Sequence, residues 1–223
     1  MASTLTASAL TTLVAVKAEL PQLGSDTSQD VYLEGLINAY SAAIESYCRR
    51  RLKSRKYLPS GADESAGEVN LKLNGNDRIT HTVMLLPEFP VIAITAVTIK
   101  DIQLRNIVTL TDLANQLAWE PDSGKMILLT GHLWERGLQN IEIAFEAGYK
   151  TVPFDLQRAC IMQVVWGFYQ KDRSRQGTES ISFQSETVTY FTGAMLPEVK
   201  LLLDKYRMPL VSGIEWPESY QFA

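Results

Sequence analysis

The chain has 223 residues, 46% of them apolar and 21% charged, with a formal net charge of −4. That length holds one full core, or a core with an inserted subdomain. The mild acidity argues against a general affinity for nucleic acid, and the absence of any long apolar run argues against a membrane span. The first twenty residues lack a basic start, and Lys17 and Glu19 interrupt their apolar stretch, so no export signal is expected. Residues 8–20 suit a short amphipathic helix ended by Pro21. Ser25, Asp26 and Ser28 are then N-cap candidates for a long helix running to about Arg51. Its apolar positions Leu33, Leu36, Ile37, Tyr40, Ile44 and Tyr47 step by three and four, which puts Glu34, Asn38, Ser41 and Glu45 on the wet side. Cys48 and Cys160 both fall in helical patterns and read as buried free thiols of a reducing compartment.

At Arg49 the texture changes. The run RRRLKSRK is almost wholly basic, and PSGADESAG after it reads as a loop. From Glu68 to Ala147 the pattern is β. Val69, Leu71 and Leu73 alternate, Pro87 and Pro90 break two β-rich runs, and Pro121-Asp122-Ser123-Gly124 suits the turn of a hairpin. Ile141, Ile143 and Phe145 alternate in a further strand. Five or six strands are expected, enough for a small independent sheet. Pro153 opens a long helix whose stripe is Leu156, Ala159, Cys160, Val164, Gly167 and Phe168, widened by Val165, Trp166 and Tyr169. SISFQSETVTYF reads as a strand or extended arm. A short helix starts at Pro197, and the last residues carry no period.

This order predicts an α+β fold: a small helical bundle core of two long helices plus short ones, with an inserted antiparallel β subdomain and an extended C-terminal tail. The expected divisions are a first helical part at 1–56, a β-rich insert at 57–150, a second helical part with an extended arm at 151–207, and a tail at 208–223.

Reactive chemistry is hard to place. The sequence holds no phosphate-binding glycine loop, no CxxC, no HExxH and no GxSxG. A metal site or a serine triad would have to use His81 or His132, which sit before a β run and in a turn and read as structural or solvent-facing. Acid pairs such as Glu135 with Glu142 have nothing in the sequence to bring them together as glycoside hydrolysis requires. No catalytic residue, cofactor or metal is therefore expected. Arg49, Arg50, Arg51 and Arg55 carry two readings: cations complementing a helix C-terminus, or contacts to phosphate or an acidic partner. Lys171, Arg173 and Arg175 follow a second helix end and carry the same two. Trp216, Tyr220 and Phe222 in the tail either fold back on the core or anchor in a neighbouring protein.

Three segments together carry a family likeness: YLEGLINAYSAAIESYCRRRL, the strand-to-helix join IEIAFEAGYKTVPFDLQRACIMQVVWGFYQKDR, and the closing LPEVKLLLDKYR. They resemble the head–tail connector (adaptor, or head-completion) proteins of tailed bacteriophages and related gene-transfer particles. The resemblance implies a structural virion protein, made in the host cytoplasm and built into the head–tail interface. It implies a ring of about twelve copies with heterologous, closing contacts, set between the portal protein and the stopper or tail-completion protein. Double-stranded DNA would pass through without sequence-specific contact, and no enzymatic activity is implied. The competing expectations are a DNA-binding packaging factor, on the basic helix ends, and a small enzyme with a scattered site.

Overall fold

A computed structural model describes residues 5–63, 68–77, 79–101, 106–129, 131–172, 180–183, 186–189 and 195–208. These fall into two compact units: a helical unit of residues up to Arg49 together with Val152–Met208, and a sheet unit of Arg50–Thr151. The fold is α+β, as the alternation of patterns predicts.

In the helical unit, α1 (Leu13–Ala18) is shorter than the expected 8–20, because the Thr12 hydroxyl accepts from Ala15 N and starts the helix there. None of the three expected caps serves α2 (Asp30–Cys48). Its N-cap is Gln29, with no side-chain hydrogen bond. Asp26 instead closes its own turn, taking the amide and hydroxyl of Ser28, and those bonds hold its carboxyl below the usual range. Lys17 pairs with Asp30 across 2.8 Å and fixes α1 against the start of α2.

The buried side of α2 is wider than its apolar stripe. Leu33, Ile37, Ile44 and Cys48 are buried as expected, but so are Glu34, Ser41 and Glu45, which the periodicity assigns to solvent. The cause is tertiary: α1, α4 (Phe154–Asp172) and α5 (Pro197–Leu203) all pack on α2. Ser41 is satisfied there, accepting from Leu10 N at 3.0 Å and lying 3.6 Å from the Cys160 thiol. Burial pushes that thiol up to about 11, against the pull of the Ser41 hydroxyl, so it is an unreactive core group.

The stripe read for α4 is the stripe that is buried, with Gln163 added to it. Gln163 accepts from Leu196 N at 3.1 Å and hydrogen-bonds the Tyr40 hydroxyl, so one buried amide ties α4 to both α2 and the entry to α5. Gly167 lets α2 and α4 approach. A Cβ there would come within 2.4 Å of the Tyr40 hydroxyl oxygen. Val165, Trp166 and Tyr169 are half-buried. Below α5, Asp155 accepts from the Tyr206 hydroxyl at 2.6 Å and from Leu156 N, and pairs with Lys205. Burial alone would raise its pKa, but Lys205, Tyr206 and the amide outweigh that and hold it below the carboxylate range.

The sheet unit has eight strands among the described residues, more than the five or six expected. The first, β1 (Arg55–Leu58), grows directly out of the basic run, where charge hid the β pattern. With β2 (Val69–Asn70), β4 (Val91–Asp101), β5 (Asn106–Thr109) and β8 (Ile141–Ala147) it forms a five-stranded sheet in the order β2-β1-β8-β4-β5. Only β1 and β2 run parallel. On β8, Ile141, Ile143, Phe145 and Ala147 are buried and the residues between them half-exposed, the alternation the sequence shows. The rings of Tyr57 and Phe145 stack at 4.7 Å. On the outer face Glu142 takes Lys72 at 3.0 Å and Lys100 at 2.5 Å, and these bonds lower its pKa.

A second sheet orders β3 (Val83–Leu85), β7 (Lys125–Leu128) and β6 (Leu117–Glu120), the last preceded by the single-turn α3 (Leu113–Gln116). The β6–β7 hairpin turns at residues 121–124 as expected. Trp134, fully buried, donates its indole N–H to Thr82 O at 3.0 Å and closes this end of the unit. The opposite end is closed by pairing of the incoming and outgoing chain. Tyr149 N donates to Leu52 O at 2.8 Å, and Ser54 N to Tyr149 O at 3.1 Å. Gly148, at φ +104, allows this, since a Cβ there would meet the Lys53 carbonyl at 2.8 Å. The expected strand-like arm is a hairpin, β9 (Ser180–Phe183) with β10 (Glu186–Thr189), forming a two-stranded sheet of its own.

Candidate assembly surface

The described residues offer packing and exposed surface. No group of three or more His, Cys, Asp or Glu stands close enough to hold a metal, and no helix is long and apolar enough to cross a membrane, among the described residues. His81 is exposed, and its carbonyl accepts from Trp134 N at 2.7 Å; His132 is half-buried.

The basic run does not stay together as one patch. Arg49 is the C-cap of α2, in the left-handed region at φ 57, with its amide on Glu45 O and Ser46 O. Its place at the helix C-terminus suits a cation. Arg50 opens the sheet unit and is 1% exposed. Its guanidinium donates to Phe89 O at 2.5 Å, sits 4.0 Å over the Phe89 ring and lies 5.8 Å from the Tyr149 ring centroid. A cation between two aromatic faces in a water-poor site is held by the ring quadrupoles as well as by its hydrogen bond. The next residue, Arg51, donates its amide to both oxygens of Glu88, at 3.0 and 3.1 Å, and Glu88 is itself fully buried. Arg55 is half-buried on β1. The sequence gives no hint that one arginine of this run is interior, because its partners Phe89 and Tyr149 lie far along the chain.

Lys171 lies in the last turn of α4. Arg173 and Arg175, and the tail aromatics Trp216, Tyr220 and Phe222, lie outside the described residues.

What the sequence reading missed is the set of large apolar side chains in water. On the helical unit these are Val14, Val31, Phe154 at 87% exposure, and Leu201. On the sheet unit they include Ile79, Leu129, Leu133 and Leu138, carried on the loops around Trp134, and Ile107 on β5 at 63%. Single exposed apolar residues are ordinary; Phe154 heads a long helix, and Ile107 lies on a sheet edge, which is open to pairing with another strand. No signal in the periodicity separates these from core residues.

The sequence model of the head completion protein family matches residues 9–209, spanning both units. No curated protein gives a significant match. Three solved structures share the fold. The neck of an empty GTA particle, computed with C6 symmetry, is 18% identical over 96% of this chain and 97% of that chain, at a TM-score of 0.56. The neck of a native GTA particle, computed with C12 symmetry, is 19% identical over the same shares at 0.51. A chain from the virion of a native gene transfer agent particle is 20% identical over 94% of this chain and 95% of that one, at 0.54.

Proposed function

The chain belongs to the head completion protein family and is a structural protein of the head–tail connection; from that premise we propose that about twelve copies close into a ring around the DNA channel through heterologous contacts. The ring sits in the virion between the portal protein and the stopper or tail-completion protein, and does no chemistry. The family match over residues 9–209 carries this reading. The exposed apolar side chains on both units support it, because a head-to-tail ring needs two different patches on each copy.

In this reading DNA slides past without being read. A net charge of −4 suits a conduit, which would be obstructed by a surface that neutralises phosphates. Arg49, Arg51, Arg55, Lys171, Arg173 and Arg175 then serve local pairing or an acidic partner. Trp216, Tyr220 and Phe222 anchor in the portal or in the next copy, where Trp and Tyr give the most binding energy per residue.

Head particles purified without this protein provide the test. Adding the purified chain should give particles that carry a ring at the neck and then accept tails. A chain lacking residues 210–223 should fold, by circular dichroism, yet fail to join. Tail attachment proceeding without the protein would overturn the connector reading. Normal joining of the truncated chain would return the three aromatics to a local packing role.

A further inference from the structure

Deepening the connector reading, on which it rests, we propose that the β9–β10 hairpin of one copy adds to the free edge of β5 in the next, continuing that sheet across the ring interface. The donor and the acceptor are each incomplete among the described strands. The hairpin is a sheet of two strands, and an isolated two-stranded ribbon is marginal in water. β5 is the last strand of its sheet, with β4 on one side only.

The phase of the ladder shows what that edge presents. Leu110 N donates to Val97 O at 3.0 Å. Alternation along an antiparallel pair then turns the main chain of Asn106 and Val108 towards β4, and that of Ile107 and Thr109 away from it. Lys100 N, donating to Asn140 O on the other side of β4, has the matching phase. Nothing in the strand itself blocks these outward groups. The strand reads Asn-Ile-Val-Thr, with no lysine, no proline and no break in its register with β4, which are the usual means of blocking an edge. The other edges are poorer acceptors: β2 has two residues and β3 three, and β6 ends on a glutamate.

The two pieces match in length. Each strand of the ribbon has four residues, as β5 has. The ribbon pairs Ser182 with Thr187 and Ser180 with Thr189. On β5, Ile107 shares the face of Thr109. The Thr98 and Thr109 hydroxyls meet at 3.4 Å on its outer face, and Val108 packs on the core from the other. An added ribbon would lie beside Ile107 and Thr109, with main-chain bonds to their outward groups supplying the affinity.

Two variants test this on head particles purified without the protein. Ile107→Pro removes an outward N–H and leaves the β4 ladder intact, so the chain should keep its unfolding midpoint while joining particles at least about tenfold less well. In the second arm, Thr109→Cys chains are mixed with Ser180→Cys or Ser182→Cys chains and oxidised on the particle. Cys48 and Cys160 are buried, so the new thiols are the reactive ones among the described residues. Covalent dimers should form only in the mixtures, each containing one chain of each kind. Wild-type joining by the proline variant, or joining without any cross-link, overturns the hairpin inference and leaves the connector reading standing. Failure of the wild-type chain to join particles overturns both.

Discussion

Arg50→Met separates an interior arginine from its exposed neighbours. The substitution keeps the length of the side chain and removes its charge. It loses a charge-assisted hydrogen bond to Phe89 O, worth about 1.5–3 kcal/mol, and a desolvated cation–π contact at 4.0 Å worth about 2 kcal/mol. The Phe89 carbonyl is left without that donor, and relief of the buried cation's own desolvation offsets part of the loss. A net destabilisation of about 3 kcal/mol is expected for the sheet unit, whereas Arg55→Met, half-exposed, should cost under about 1 kcal/mol. Urea unfolding followed by tryptophan fluorescence reads this, because Trp134 is buried in the sheet unit. With a slope of about 1.5 kcal/mol per molar for a unit of this size, the midpoint should fall by about 2 M. Equal, small shifts for Arg50→Met and Arg55→Met would refute the reasoning and return Arg50 to the surface set. Circular dichroism at 222 nm monitors the helical unit in the same titration, so a failure confined to one unit is visible.

Gly167→Ala should destabilise the helical unit by about 1–3 kcal/mol through its approach to Tyr40, and Tyr40→Phe in the same chain should recover part of that; additive losses would show that the two residues do not touch. Because the folded-state pKa of Asp155 is depressed, its contribution is present above the unfolded value of about 4 and is lost as pH falls through the folded one. Acid titration of helix stability should therefore be shallower in Asp155→Asn than in the wild type below about pH 4, and identical slopes would remove Asp155 from the account. Trp166→Ala should cost about 1–2 kcal/mol, less than a fully buried indole, since the side chain is only half-buried; a thermal shift matching a core cavity would contradict that placement.

The legible parts of the fold were those whose signal is local. The 121–124 turn, the β8 alternation and the α4 stripe each follow from the geometry of a single element, and each lies where the residues place it. Long-range partners decided the rest. Glu34, Ser41 and Glu45 look like a solvated face until three helices close over α2. β1 is masked because its residues are charged for reasons unconnected with strand pairing. Arg50, Glu88, Asn140 and Gln163 are polar yet interior, and their burial depends on contacts such as that of Asn140 with Gly75, sixty-five residues away. The assembly surface was the least legible. An exposed Phe154 or Ile107 has the same letter and nearly the same spacing as a core residue, and only the folded chain shows which face lacks a cover.

The stitch between Leu52–Ser54 and Tyr149 makes the sheet unit a cassette. Its two ends meet at strand spacing, about 5 Å. Bringing together ends some hundred residues apart costs about 4 kcal/mol of chain entropy, and the unit's own folding meets that cost locally. To the helices, the insert is then no longer than a short loop. Residues 50–151 should be replaceable by a linker of about four residues without unfolding what remains. The same junction could accept a sheet of different size, letting the outer contour of the protein change while its helical frame is preserved.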